Sequence, residues 1–111
     1  MRVFALTSVF EAQGVRLLVV RNGLEAVQRV GAESDIDLVL MDWMMPELDG
    51  LEAVQCIRQK PEAKDLPIIM LTAKAMGNDR ERCLAAGASD YMAKPIDTER
   101  LLSLCRVWLR R

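Results

Sequence analysis

The chain contains no histidine, and that absence removes more chemistry than any other feature of its composition. Ser-His-Asp and Cys-His catalysis, histidine-ligated metals and a phosphohistidine of the chain's own are excluded. Any chemistry must use Asp, Glu, Lys, Thr, Ser, Tyr or Cys. No apolar stretch approaches the roughly 20 residues that a membrane span needs, and the first residues lack a charged segment followed by an apolar one. A cytoplasmic protein with no membrane partner is expected. No basic block stands out apart from Arg110-Arg111, and fifteen Lys and Arg against sixteen Asp and Glu leave a net charge of −1. Composition therefore offers no electrostatic footprint for nucleic acid. The three cysteines, Cys56, Cys83 and Cys105, are widely spaced, odd in number and set in apolar helical patterns, so they read as small buried hydrophobes and not as a disulfide frame or metal site.

With 111 residues, 51% hydrophobic and 28% charged, the chain is the size of one small domain with one core. No linker or low-complexity stretch divides it. Apolar runs at 16–20 (RLLVV), 37–41 (DLVLM), 67–71 (PIIML) and 91–93 (YMA) alternate with segments of helical length and periodicity, the pattern of a parallel sheet covered by helices. Leu101, Leu104, Cys105 and Trp108 share one face of the last helical segment, with Asp97 placed as its N-cap and Arg110 and Arg111 at its negative end. Gly14, Gly31 and Gly87 sit where the other helices should stop. GLEAVQ occurs at 23–28 and again at 50–55, after Asn22 and Asp49 respectively. Each copy reads as a polar N-cap followed three residues later by Glu25 or Glu52, a capping-box-like start rather than a repeat architecture.

Asp42 closes the second apolar run, Thr72 closes PIIML, and Lys94 follows YMA and precedes Pro95. All three polar groups therefore fall at the carboxyl ends of parallel strands, the edge where open α/β sheets place their ligands. Singly, each has an ordinary explanation: a turn cap, a local hydroxyl bond, a lysine reaching for water. Together, a carboxylate, a hydroxyl and an ammonium converging on one edge argue for a site.

On these residues the chain resembles a response regulator receiver domain. DLVLMDWMMPELDG (37–50) is similar to that family's phosphoacceptor segment, LPIIMLTAKA (66–75) to its Thr-Ala switch segment, and AAGASDYMAKPID (85–97) to its aromatic and Lys-Pro segment, in the family's order and spacing. VFALTSVFEAQG and MDWMMPELDG are most like receivers of hybrid histidine kinases. The resemblance implies a flavodoxin-like (CheY-like) α/β fold, a parallel sheet with helices on both faces, spanning residues 1–111 as a single domain. It implies Asp42 as the phosphorylated residue, Thr72 as the hydroxyl turning toward the phosphoryl group, Tyr91 as the aromatic that moves inward with it, and Lys94 as the phosphate-binding cation before a cis Pro95. Trp43, Met44, Ala73 and Lys74 would flank the site, Met44 and Lys74 along the path of attacking water, and Trp43 would report occupancy. Magnesium would be held by Asp42 and the backbone carbonyl of Met44. The implied donor is a histidine kinase or histidine phosphotransfer domain. The switch would be read on the surface from about Gly77 to Trp108.

The chain departs from that pattern at its start. A receiver opens with an apolar strand ending in a pair of acids; this sequence opens at the helix that should follow, and MRVFALT is one residue short of the usual linker. The expected sheet thus lacks its usual first central strand, the shared neighbour of strands 16–20 and 37–41 in a 2-1-3-4-5 order. About five buried apolar side chains at roughly 1.5–3 kcal/mol each would go with it, comparable to a domain's net stability of about 5–15 kcal/mol. The expectation is an amino-terminally truncated receiver: a polypeptide starting upstream, a slot filled by another segment or chain, or a decayed fragment. Self-association through unpaired edges of strands 16–20 and 37–41 is expected.

Other classes fit less well. An aspartate-nucleophile phosphatase would want a second acid two residues after Asp42, where Met44 stands. A dinucleotide-binding oxidoreductase would want G-x-G-x-x-G, which is absent. The remaining rival is a pseudo-receiver, a binding module that keeps the fold and is not phosphorylated. No turnover enzyme acting on small molecules is expected.

Overall fold

The computed structural model describes residues 8–21, 23–33, 35–42, 50–72 and 79–109, with Asp42 and Asp79 described as backbone only. The four apolar runs are strands: β1 Leu17–Val20, β2 Leu38–Asp42, β3 Ile68–Thr72 and β4 Asp90–Ala93. Helices α1 Gly23–Ala32, α2 Gly50–Arg58, α3 Asp79–Ala86 and α4 Thr98–Leu109 follow them in alternation. A 3-10 turn at Pro61–Ala63 leads into β3, and a short helical segment at 8–11 precedes β1.

Because successive strand residues point to opposite faces, a strand covered on both sides must be apolar at every position. That is why these runs do not alternate. Leu18, Val20, Val39, Met41, Ile68 and Met70 pack on one face against Ala26 and Val30 of α1, Ala53, Val54 and Ile57 of α2, and Cys83 of α3. Leu17, Leu38, Leu40, Ile69 and Leu71 pack on the other against Phe10 and against Leu101 and Cys105 of α4. Each fully buried aliphatic side chain contributes about 1.5–3 kcal/mol of transfer free energy.

Local signals read from the sequence recur as geometry. Asp97 caps α4: its Oδ1 accepts from the backbone N–H of Glu99 at 3.0 Å and of Arg100 at 3.3 Å, satisfying donors that have no partner inside the helix. Gly14, with φ +81°, ends the 8–11 segment with Gly14 N–H on the Glu11 carbonyl and Val15 N–H on that of Phe10, and Gly87, with φ +115°, closes α3 in the same way. That paired pattern needs a left-handed residue, which glycine adopts without a Cβ clash. The proposed caps Asn22 and Asp49 and the pair Arg110-Arg111 lie outside the described residues.

Four expectations are corrected. Strands β1 and β2 do not flank an empty slot: they pair directly, in parallel, with Leu17 opposite Leu38 and Val20 opposite Met41, in a continuous sheet of order β1-β2-β3-β4. Backbone groups that would have faced a missing neighbour bond each other instead, as buried backbone groups must. Strand β2 is consequently paired on both sides and has no open edge for self-association; of that pair only β1 is an edge strand. Gly31 does not stop its helix, which runs on to Ala32; its φ is not in the left-handed region. Cys56 is exposed, while Cys83 and Cys105 are buried, and none of the three forms a disulfide; the buried stripe of α2 includes Ala53, Val54 and Ile57, and position 56 lies off it.

Candidate functional site

Parallel pairing brings three chain segments to one edge. Asp42 is the last residue of β2, in register with Leu71; Thr72 is the last residue of β3, in register with Ala93. The residue after β4 is Lys94, whose backbone N–H donates to the Thr72 carbonyl at 2.7 Å. The Lys94-Pro95 bond is cis, as the resemblance implied. Thr72 is the buried polar residue of the described core, at 0% exposure. A hydroxyl removed from water at the end of an otherwise aliphatic strand has to be satisfied inside the protein, and Thr72 does make a polar interaction there. The carboxylate of Asp42 and the whole of Trp43, Met44, Ala73 and Lys74 lie outside what the structure describes.

Tyr91, second residue of β4, is half-buried and packs against the core cluster beneath α1, α2 and α3. It also lines a cleft of about 830 Å³ bordered by Arg80, Arg100, Ser103, Leu104 and Val107. The residue before it, Asp90, holds this strand to α4: its Oδ1 accepts from Tyr91 N–H at 2.8 Å, and its Oδ2 accepts from the Trp108 indole N–H at 3.1 Å. Tyr91 therefore sits between the sheet edge and the α3–β4–α4 surface. Cys105, on the inner face of α4, has its thiol pushed up to about 12 by burial, which keeps it a neutral packing group.

Two arginines that the sequence did not single out organise the opposite edge, at the amino ends of the strands. Arg16 donates to the Asp35 carboxylate at 2.7 Å and to Glu33, and its backbone N–H donates to Asp37 Oδ2 at 2.7 Å. Arg29 adds a 2.9 Å bond to Glu33. The hydrogen bond to Asp35, and then its charge, raise the Arg16 pKa. Arg58, half-buried at the end of α2, donates from Nε to the Gly87 carbonyl at 2.8 Å, from Nη1 to the Ala63 carbonyl at 2.8 Å, and from Nη2 to Ser89 Oγ at 3.2 Å. Burial lowers its pKa, opposed by the nearby Asp65. Neither role is legible locally, since most of their partners, Glu33, Asp35, Gly87 and Ser89 among them, lie 17 to 31 residues away. The only hint is Gly87, where a Cβ would come within 2.9 Å of Arg58 Cγ.

Magnesium would need about six oxygen ligands, several of them retained waters. Among the described residues no group of three or more acidic, cysteine or histidine side chains could hold a metal. At the carboxyl edge β1 ends in Val20, β3 in Thr72 and β4 in Ala93, so among the described residues Asp42 is the one acid at the carboxyl end of a strand. The described donor set does not by itself fit the ion.

Comparison with known proteins agrees with this architecture. The sequence model of the response regulator receiver domain matches residues 2–106. The phosphate regulon transcriptional regulatory protein PhoB of Rhizobium meliloti (strain 1021) is 43% identical over 101 residues, covering 91% of this chain and 44% of that protein. The signal transduction histidine-protein kinase BarA of Escherichia coli (strain K12) is 46% identical over 83 residues, 75% of this chain and 9% of that protein. The chain thus spans less than half the length of these two relatives. Among solved structures, the receiver domain of sensor histidine kinase PA1611 from Pseudomonas aeruginosa PAO1, with a magnesium ion coordinated in its active site cleft, aligns with a TM-score of 0.79 at 35% identity, covering 97% of this chain and 88% of that one. A putative response regulator from Chloroflexus aurantiacus aligns at 0.82 and 31%, covering 98% and 88%. No described helix is long and apolar enough to cross a membrane.

Proposed function

Because the chain belongs to the response regulator receiver domain family of two-component signalling, we propose that its function is to accept a phosphoryl group on Asp42 from a phosphohistidine of a histidine kinase or histidine phosphotransfer domain. A carboxylate oxygen of Asp42 attacks phosphorus in line; the P–O bond forms as the P–N bond to imidazole breaks, and the electron pair leaves with the imidazole nitrogen. Little covalent help is needed from the protein, so catalysis rests on positioning and on charge stabilisation. The Lys94 ammonium balances the phosphoryl charge. Once the phosphoryl group is in place, its oxygens favour the state in which Thr72 donates to it, and Tyr91 follows inward, altering the cleft between α3 and α4. What supports this reading is the bond from the Lys94 backbone N–H to the Thr72 carbonyl, which joins these two backbones at the edge where β2 ends in Asp42. Intact-mass measurement after incubation with a phosphorylated histidine phosphotransfer domain tests it. An added phosphate that disappears in Asp42→Asn, with the circular dichroism spectrum unchanged, is expected; a phosphate that persists in that variant sinks the assignment.

The donor set at the carboxyl edge favours a second reading, an interaction module that is not phosphorylated. Residues 1–111 alone are then expected to gain negligible phosphate even with magnesium, while a longer form carrying an upstream strand that ends in two acids gains it. Equal phosphorylation of both forms would remove this second reading.

A further inference from the structure

The carboxyl edge of the β3–β4 pair is set from its amino edge. Ser89, the residue before β4, makes a closed set of bonds with the first residue of β3: its N–H donates to the Ile68 carbonyl at 2.8 Å, and its Oγ accepts from Ile68 N–H at 3.0 Å. The same Oγ accepts from Arg58 Nη2. The guanidinium also holds the Ala63 carbonyl, on the segment entering β3, and the Gly87 carbonyl, on the segment entering β4. One planar group thus fixes the entry points of two adjacent strands to the end of α2. Its fork geometry suits several fixed acceptors at once, which a lysine cannot match. Gly87 leaves space for the Arg58 stem that any side chain would occupy.

From Ile68 to Thr72 and from Asp90 to Lys94 is four residue steps each, about 13 Å of strand. Over so short a pair, register defined at one end is register at the other, and a one-residue slip would turn every side chain to the opposite face. We propose that Arg58 and Ser89 are positioning residues for Thr72 and Lys94: their bonds to the entry points of β3 and β4 lock the register that seats the Lys94 N–H on the Thr72 carbonyl. This rests on reading Thr72 and Lys94 as the phosphate-binding pair, yet it is a statement about geometry that can fail separately.

Native-state hydrogen exchange on the 111-residue chain tests it without any phosphoryl transfer. In Ser89→Ala, the Lys94 amide is expected to exchange about tenfold faster or more, measured relative to the amide of Leu40 in the centre of β2, which reports general stability. Arg58→Gln should do the same, and Ser89→Thr, which keeps the oxygen, should restore the Lys94 amide to its original rate. Should Arg58→Gln fail to fold, the Ser89 pair decides alone. Acceleration confined to Ile68 and Ser89 would reduce the cluster to a local brace and overturn the proposal. So would equal acceleration of Lys94 and Leu40, which is ordinary destabilisation. If Asp42 takes no phosphate in any form, the exchange result still stands and only the phosphate-binding reading of the pair falls.

Discussion

The two edges of the sheet are built from the same four strands and do opposite things. At the amino edge, charge is tied up in structure: Arg16 is engaged by Glu33 and Asp35, with Asp37 on its backbone N–H, and Arg58 by three carbonyls and a hydroxyl. At the carboxyl edge the strands deliver a carboxylate residue, a buried hydroxyl and a lysine to neighbouring positions. Parallel strands align all their amino ends on one side and all their carboxyl ends on the other. One edge can therefore be spent on rigidity while the other presents chemistry.

The most severe way to break the comparison is to damage both edges at once. Leu40 is fully buried in the centre of β2, so Leu40→Ala should cost about 2–5 kcal/mol and lower the urea midpoint while exposing both ends alike. A loss below about 1 kcal/mol would mean the sheet's centre is looser than its burial implies. Next in size, Lys94→Ala should slow phosphate gain by roughly 10²-fold through loss of charge stabilisation, measured by intact mass on a form that phosphorylates. Thr72→Ala should leave transfer largely intact and abolish the accompanying change at Tyr91, followed by nuclear magnetic resonance. Loss of transfer in the threonine variant alone would reverse the two roles.

A smaller effect separates core from edge. The Cys105 thiol has its pKa raised from 9.0 to about 12 by burial, so the folded state keeps a proton that the unfolded chain releases. Its contribution is fully present below pH 9 and is lost as pH rises toward 12. Urea midpoints measured between pH 8 and pH 11 should fall less steeply in Cys105→Ala than in the parent; parallel slopes would show that this thiol is not a source of alkaline instability. Smallest of all should be Arg16→Ala. Arg16 and Asp35 are exposed and Glu33 is only partly buried, and such pairs contribute little and fade with salt. A marked drop in stability that persists at 1 M salt would show that the amino edge relies on Arg16 as it does on Arg58.

How much of this was legible in the sequence follows from the range of the interactions. The strands came through to within a residue, because a strand covered on both faces must be apolar throughout; the structure shifts their ends so that Asp42 and Thr72 fall inside β2 and β3. The Asp97 cap and the turns at Gly14 and Gly87 came through because their bonds close within six residues. Gly31 and Cys56 misled for a related reason. A glycine can ride in a last helical turn when no left-handed residue is needed there, and an apolar helical pattern does not say which positions lie off its buried stripe.

The sequence by itself determined the alternation of strands and helices, the strand boundaries to within a residue, and the arrival of Asp42, Thr72 and Lys94 at strand ends, because periodicity and capping are short-range and written in consecutive residues. Only the tertiary structure decided that β1 and β2 close on each other instead of flanking an open slot, and that Arg58 reaches across 31 residues to Ser89. Those outcomes depend on which backbone groups meet after the helices have packed. Burial obliges every such group to find a partner, but nothing local in the chain says which one it will be.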